Sequence, residues 1–274
     1  MPTEGNPATD NTLLTAEEPL PFSILNPDSR RPILLVCDHA SRRFPAAVGD
    51  LGLDSAARQS HLAWDIGAEA VTEWVADRLG VCAVLAGYSR LVVDCNRNLM
   101  DPSAFLEFGD GVIVPGNRAL PQIDKDLRAR ELYWPYHYAI DIEVRRLSGI
   151  EYPPAFIAIH SFTQVLDGIE RDCEIGVLWD ADRPTAEIFI EGFRSAGFIV
   201  GDNEPYSGKA PMDFTIDHHA EAAGLPHVGL EIRNDLIRDE AGVARVSRVL
   251  AEIVDRLPAG ESLQSSDQES TVPA

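Results

Sequence analysis

Four short apolar runs, each ending abruptly in ionisable residues, constrain this chain more than anything else in it. Ile33–Pro45 reads ILLVCDHASRRFP, an apolar start followed by Asp38, His39, Ser41, Arg42 and Arg43. Leu91–Arg97 (LVVDCNR) delivers Asp94, Asn96 and Arg97, and Ala155–Thr163 (AFIAIHSFT) ends in His160 and Ser161. His227–Asp235 (HVGLEIRND) carries Glu231, Arg233 and Asp235. Runs of this length, rich in β-branched and long aliphatic residues, read as buried strands. In open α/β sheets, ligand and catalytic groups collect beyond the carboxyl ends of the strands. One site along one sheet edge is the expectation.

Helical segments alternate with these runs. Asp54–Gly80 places Ile66, Ala70 and Trp74 beside Val71, Val75 and Leu79 on one face, with Gly80 as a natural stop. Gly67 weakens that helix, so a break near Asp65 is expected. Val81–Ala86 reads as a strand forming a hairpin with Leu91–Cys95, because Gly87–Arg90 is too short for a crossover helix. Leu99–Arg118 reads as a long loop, and Gln122–Leu147 as helix interrupted at Pro135. Further strands are expected at Glu174–Trp179 and Phe198–Gly201, and helices at Pro184–Ala196, Phe214–Ala223 and Ala241–Leu257. The alternation predicts the α/β class: a three-layer α/β/α sandwich on a mixed, mostly parallel sheet. Residues 1–21 read as a flexible arm, 22–258 as a single catalytic domain, and the serine- and acid-rich 259–274 as a disordered tail.

The net charge of −21 argues against nucleic acid or an anionic membrane surface as partner. A small anionic ligand then needs local arginines, for which Arg42, Arg43, Arg97 and Arg233 are available. No apolar run reaches the roughly 18 residues of a membrane span, and no signal peptide is visible. The four cysteines show no C-x-x-C spacing and read as buried thiols of a cytoplasmic protein. Oligomeric state is left open, with a homo-oligomer allowed.

His39 and His160 stand in the same topological setting, just where a side chain can leave the sheet edge. Two such histidines with a carboxylate make a mononuclear zinc site with an open position, and such a site makes water nucleophilic near neutral pH. Either histidine alone would more simply be a hydrogen-bonded structural residue. For the carboxylate, Asp65 is the candidate; the plain alternative is a helix N-cap. Glu231 lies in an apolar strand, where a carboxylate is costly unless paired or functional. It is either a general base or half of a salt bridge with Arg233 or Arg97. Arg97 suits bidentate capture of a carboxylate, and Asn96 suits donation to a carbonyl oxygen. Of His218 and His219, the latter is the better candidate to reach the site, and Ser161 follows His160 directly.

Taken together, DHAS…FP, HLAWDIGA, YSRLVVDCNR, PGN, PYH, IHSFT, GDNEPYS and LEIRNDLI resemble the N-formylglutamate amidohydrolase family from about Pro32 to Leu257. The resemblance implies a hydrolase using Zn²⁺ or another divalent cation to cleave N-formyl-L-glutamate, a small anionic N-acyl amino acid, to formate and glutamate in histidine degradation. It implies a fold similar to the zinc-dependent exopeptidases. Carried over, the metal ligands fall on His39 and His160, substrate binding on Asn96 and Arg97 with Arg233, His219 and Ser161 nearby, and the base on Glu231. In the related carboxypeptidase and aspartoacylase groups a glutamate ligand follows the first histidine by three residues; here Arg42 stands there, and Asp65 takes the role. Two alternatives remain: a carboxypeptidase- or aspartoacylase-like hydrolase with the same site, and a non-catalytic ligand-binding relative.

Overall fold

The computed structural model describes residues 12–150, 152–166, 168–209 and 213–257. Its centre is a seven-stranded mixed sheet. The strands are β1 (Phe22–Leu25), β2 (Ile33–Cys37), β3 (Cys82–Ala86), β4 (Ala155–Phe162), β5 (Ile175–Leu178), β6 (Val200–Asp202) and β7 (His227–Arg233). In space they run β1-β3-β2-β4-β7-β5-β6. The four central strands are parallel. On one edge β1 is antiparallel to β3; on the other, β5 is antiparallel to β7 and β6 follows β5 in parallel.

Every residue of β2, β3 and β4 is buried, as a sheet covered on both faces requires. The two-residue alternation of a strand divides them. Leu34, Val36, Cys82, Val84, Phe156 and Ala158 face one core, which α4 (Trp134–Ser148) closes with Tyr136, Ala139, Ile140 and Leu147. Leu35, Ala83, Ile157, Ile159, Val228 and Leu230 face the other. That side is covered by α2 (Ala68–Leu79), α5 (Arg183–Ser195) and α7 (Glu240–Asp255), through Val71 and Val75, Phe189 and Phe193, and Leu250 and Val254. Short α1 (Ser55–Gln59) precedes α2, so the expected break near Asp65 is present. The Pro135 interruption is a π-helical turn, Ala129–Tyr133, joining α3 (Gln122–Arg128) to α4. The stub α6 (Phe214–Ile216) continues into another π turn, Asp217–Glu221.

Leu91–Cys95 is not a strand, and the expected hairpin does not form. The place beside β3 is taken by β1, with Phe22 opposite Ala86 and Leu25 opposite Ala83. Leu91, Val92 and Val93 are apolar because they are buried, and their backbone is held by side chains. Asn117 Nδ2 donates to the Leu91 carbonyl at 2.8 Å and Arg128 Nη1 to that of Val92 at 2.9 Å. Part of the stretch read as a flexible arm is also docked: Leu13 is buried, and Glu131 accepts from the N–H groups of Leu13 and Leu14. Residues 1–11 and 258–274 lie outside the described residues. The four cysteines are free and buried. Among the described residues no helix is long and apolar enough to cross a membrane.

Candidate active site

Local backbone geometry brings the ionisable strand tips together. His39 follows β2 by two residues, and its carbonyl accepts from Asp65 N–H at 3.0 Å. The chain then enters α2 through Gly67, whose φ of +85° caps the helix without any side-chain hydrogen bond. A Cβ at Gly67 would collide with the Ile237 carbonyl. The Asp65 carboxylate is thereby spared from capping and enters the site. Glu231 of β7 is the register partner of His160 on β4. Partners across a parallel pair leave the same face of the sheet, so these two side chains emerge side by side.

Both histidines turn Nδ1 toward one oxygen. Asp65 Oδ2 lies 2.9 Å from His160 Nδ1 and 3.3 Å from His39 Nδ1, and also accepts from Ser161 N–H at 3.2 Å. The opposite nitrogens face other carboxylates: His39 Nε2 is 2.7 Å from Asp94 Oδ1, and His160 Nε2 is 3.1 Å from Asp38 Oδ2, though poorly aligned with it. Asp38 is fixed in turn by the Tyr136 and Thr215 hydroxyls, which donate at 2.9 and 2.6 Å. Asp94 is clamped by Arg90 through Nε at 3.0 Å and Nη2 at 2.7 Å. His39, Asp65, His160 and Arg90 open onto a cavity of about 360 Å³, shared with Glu231, Arg97, Asn96, Tyr206 and Asp213, while Asp38 and Asp94 lie behind its lining.

Charge is unevenly distributed across this floor. Burial opposes ionisation of Asp38, but hydrogen bonding and attraction from His160 bring its carboxyl down to about 2. Asp94 is likewise held well below the usual carboxylate range, Arg90 and His39 overcoming burial. Both histidines are pushed up: burial disfavours their charged forms, yet Asp94 and Asp65 outweigh it at His39, and Asp38 and Asp65 at His160. Glu231 goes the other way. Burial, reinforced by Asp65, raises its carboxyl to about 7 against the pull of His160, and its Oε2 is shut off from solvent without a hydrogen-bond partner.

His39, Asp65 and His160 fit a cation. Their ligand atoms all lie within 4.8 Å of one another, and an N₂O set with an open position suits zinc. Metal-bound histidines direct their second nitrogen at a carboxylate or carbonyl, which fixes tautomer and ring orientation. Asp94 and Asp38 occupy those places.

The structure brings together His39, Asp65, His160, Glu231, Asn96, Arg97 and Ser161 around one cavity. It does not bring Arg233 or His219 there. Arg233 is folded onto Asp235, with Nε 2.7 Å from its carboxylate, and does not line the cavity. Strand alternation predicts that Arg233 shares a face with Glu231, but β7 ends at Arg233 and a 3₁₀ turn, Asn234–Ile237, swings Asp235 under it. His219 is buried behind the wall, between His137 and Asp141. Asn96 is in place, but its Oδ1 accepts from Thr215 N–H at 2.9 Å. Arg42 stacks over Trp64, and His61 faces Asp110.

Four contributors are missed by sequence reasoning: Arg90, Asp38, Tyr206 and Asp213. Asp94 stands out at the end of its apolar run, but nothing in the sequence marks it as the partner of Arg90 or the support of His39. Arg90 and Asp94 are four apart in a segment read as strand, where such spacing signals nothing. Asp38 would point away from His39 if the strand ran on, but β2 ends at Cys37 and the carboxylate reaches His160. Tyr206 and Asp213 come from a loop whose spacing carries no signal.

A sequence profile of the N-formylglutamate amidohydrolase family matches residues 31–238. The crystal structure of a gene product from Agrobacterium tumefaciens is 35% identical, with a TM-score of 0.84 over 89% of this chain and 96% of that one. The crystal structure of N-formylglutamate amidohydrolase from Ralstonia eutropha JMP134 has the same fold, at 19% identity and a TM-score of 0.64 over 85% of this chain and 95% of that one. No curated protein sequence matches the chain.

Proposed function

The chain belongs to the N-formylglutamate amidohydrolase family, hydrolases of amide bonds, and from that premise we propose that it hydrolyses N-formyl-L-glutamate, or a closely related N-acyl amino acid, with a divalent cation, zinc for preference, as cofactor. The observation carrying this reading is the unpartnered Glu231 Oε2, poised near neutrality in the same cavity as His39, Asp65 and His160. A carboxyl raised to about 7 takes and returns a proton at little cost.

His39 Nδ1, His160 Nδ1 and Asp65 Oδ2 would hold the cation. When bound it supplies Lewis acidity, making water nucleophilic near neutral pH and polarising the amide carbonyl. The Glu231 carboxylate accepts a proton from the water that attacks the carbonyl carbon. It then returns that proton to the amine nitrogen as the C–N bond breaks, giving a carboxylic acid and a free amino acid. Asp94 and Asp38 hold the two imidazoles in orientation. The Arg90 guanidinium, fixed by Asp94 and 3.7 Å from Asp65 Oδ1, lines the cavity and would offer positive charge to the developing oxyanion. Arg97 takes the substrate carboxylate, overcoming locally the repulsion expected of a chain with net charge −21.

A panel of N-formyl-L-glutamate, other N-formyl and N-acetyl amino acids, and dipeptides tests the assignment. The reading expects the highest kcat/KM on an N-formyl acidic amino acid. Turnover confined to dipeptides or N-acetyl compounds would move the substrate to a carboxypeptidase- or aspartoacylase-like class, and no turnover on any member would sink the reading.

A further inference from the structure

A second histidine cluster lies behind the cavity and has no part in the chemistry above. His137 of α4 stacks on His219 of the Asp217–Glu221 turn, with ring centroids 5.1 Å apart and planes 22° from parallel. His137 Nε2 is 2.9 Å from the Cys95 carbonyl oxygen, and His137 Nδ1 is 2.8 Å from His219 Nε2. His219 Nδ1 is 2.9 Å from the Asp141 carboxylate. The exposed His218 adjoins it, and ligand atoms of Asp141, His218 and His219 all lie within 4.8 Å of one another.

Hydrogen counting along this chain exposes a deficit. A carbonyl and a carboxylate only accept. Both terminal nitrogens therefore need a hydrogen, and the nitrogen–nitrogen contact in the middle needs one more. Two neutral imidazoles carry one hydrogen too few, so either a ring lone pair faces an oxygen or two ring lone pairs face each other. A buried imidazolium would close the gap at the cost of placing charge in the interior. A cation entering at one end closes it without that charge on a ring. The Cys95 end is sealed, His137 being 1% exposed. The other end reaches solvent, with 32% of the Asp141 side chain exposed, His218 exposed beside it, and the largely exposed Arg145 3.8 Å from Asp141 Oδ2, on the oxygen that does not face His219.

We propose that Asp141, His218 and His219 form a second metal site, binding a divalent transition cation of the zinc class at His219 Nδ1. Two imidazoles and one carboxylate, with solvent completing the coordination, suit such ions over calcium or magnesium. His219 is then neutral and donates from Nε2 to His137 Nδ1, while His137 donates from Nε2 to the Cys95 carbonyl. Every ring nitrogen is satisfied, and His137 becomes the orienting partner behind a ligating histidine. The site ties α4 to the turn that follows Thr215, whose N–H holds Asn96 and whose hydroxyl holds Asp38. Its function is to brace the rear wall of the cavity.

Titrating chelator-stripped protein with Co²⁺, read by visible ligand-field absorption and bound-metal stoichiometry, tests this independently of the catalytic reading. The doubly substituted His39→Ala/His160→Ala protein removes the first site and should still bind one equivalent. Adding His218→Ala should abolish that equivalent, and His218→Ala alone should lower the wild-type stoichiometry from two to one. His218 is exposed, so its removal leaves the core intact, and Asp141→Asn is a second way to the same loss. A double variant that binds no Co²⁺, or binding unchanged by His218→Ala and by Asp141→Asn, overturns the proposal.

Discussion

The front and rear histidine pairs of this molecule are built from the same side chain and behave oppositely. His39 and His160 touch three carboxylates, and their affinity for protons is raised despite burial. His137 and His219 are buried about as deeply, but they touch mainly each other, a carbonyl and one carboxylate. Burial, with the neighbouring His219 adding to it, pushes His137 down to about 3, and His219 is lowered as well. Burial alone therefore decides nothing about a histidine. The number of carboxylates it faces decides whether its surroundings attract a cation strongly or only where a further ligand stands by.

The largest way to break this contrast is at the front pair. His160→Ala removes a proposed ligand and takes from the buried Asp38 and Asp65 the imidazole that both of them face. Bound metal should fall below one-tenth of an equivalent at this site, and kcat/KM by at least about a thousandfold. His137→Ala, tested beside it, should leave front-site metal in place; equal metal loss in both would erase the distinction.

A smaller effect is expected at the carboxylate behind His39. Asp94→Asn keeps the shape but replaces the anion 2.7 Å from His39 Nε2. Affinity for zinc should fall roughly 10–100-fold, read by competition with a chromogenic chelator. An unchanged affinity would mean that Asp94 serves only Arg90.

The smallest effect concerns stability at the rear pair, in metal-free protein. The folded-state pKa of His137 lies below its unfolded value of about 6.5, so nothing is lost above that pH. Below it the unfolded chain takes up a proton that the folded one refuses, and stability declines as pH falls from about 6.5 toward 3. His137→Gln should lose about 1–3 kcal/mol at pH 8 through its broken hydrogen bonds, then decline less steeply on acidification. Urea unfolding at pH 8 and pH 5 measures both, and parallel declines would contradict the sign.

The comparison also explains what the sequence could reveal. β2, β4 and β7 were legible because strands buried on both faces must be continuously apolar, which makes an intruding His160 or Glu231 conspicuous. Leu91–Cys95 carried the same signal for another reason: its side chains are buried while Asn117 and Arg128 hold its carbonyls. Composition cannot separate those cases. For Asp65 the sequence allows cap or ligand; Gly67 caps α2, which removes the cap reading and leaves the carboxylate facing the two histidines. Arg90 and Asp38 were invisible because their roles depend on where strands stop, by a residue or two. Arg233 was misassigned for the same reason, since the turn after β7 brings Asp235 under it.

The central claim is that Glu231 moves the proton while His39, Asp65 and His160 hold the cation. Glu231→Gln tests it most directly, with bound metal and turnover of N-formyl-L-glutamate measured on the same sample. The account predicts undiminished metal at the front site and a kcat lower by roughly 10²–10⁴-fold. A fully loaded variant turning over at the wild-type rate would contradict it.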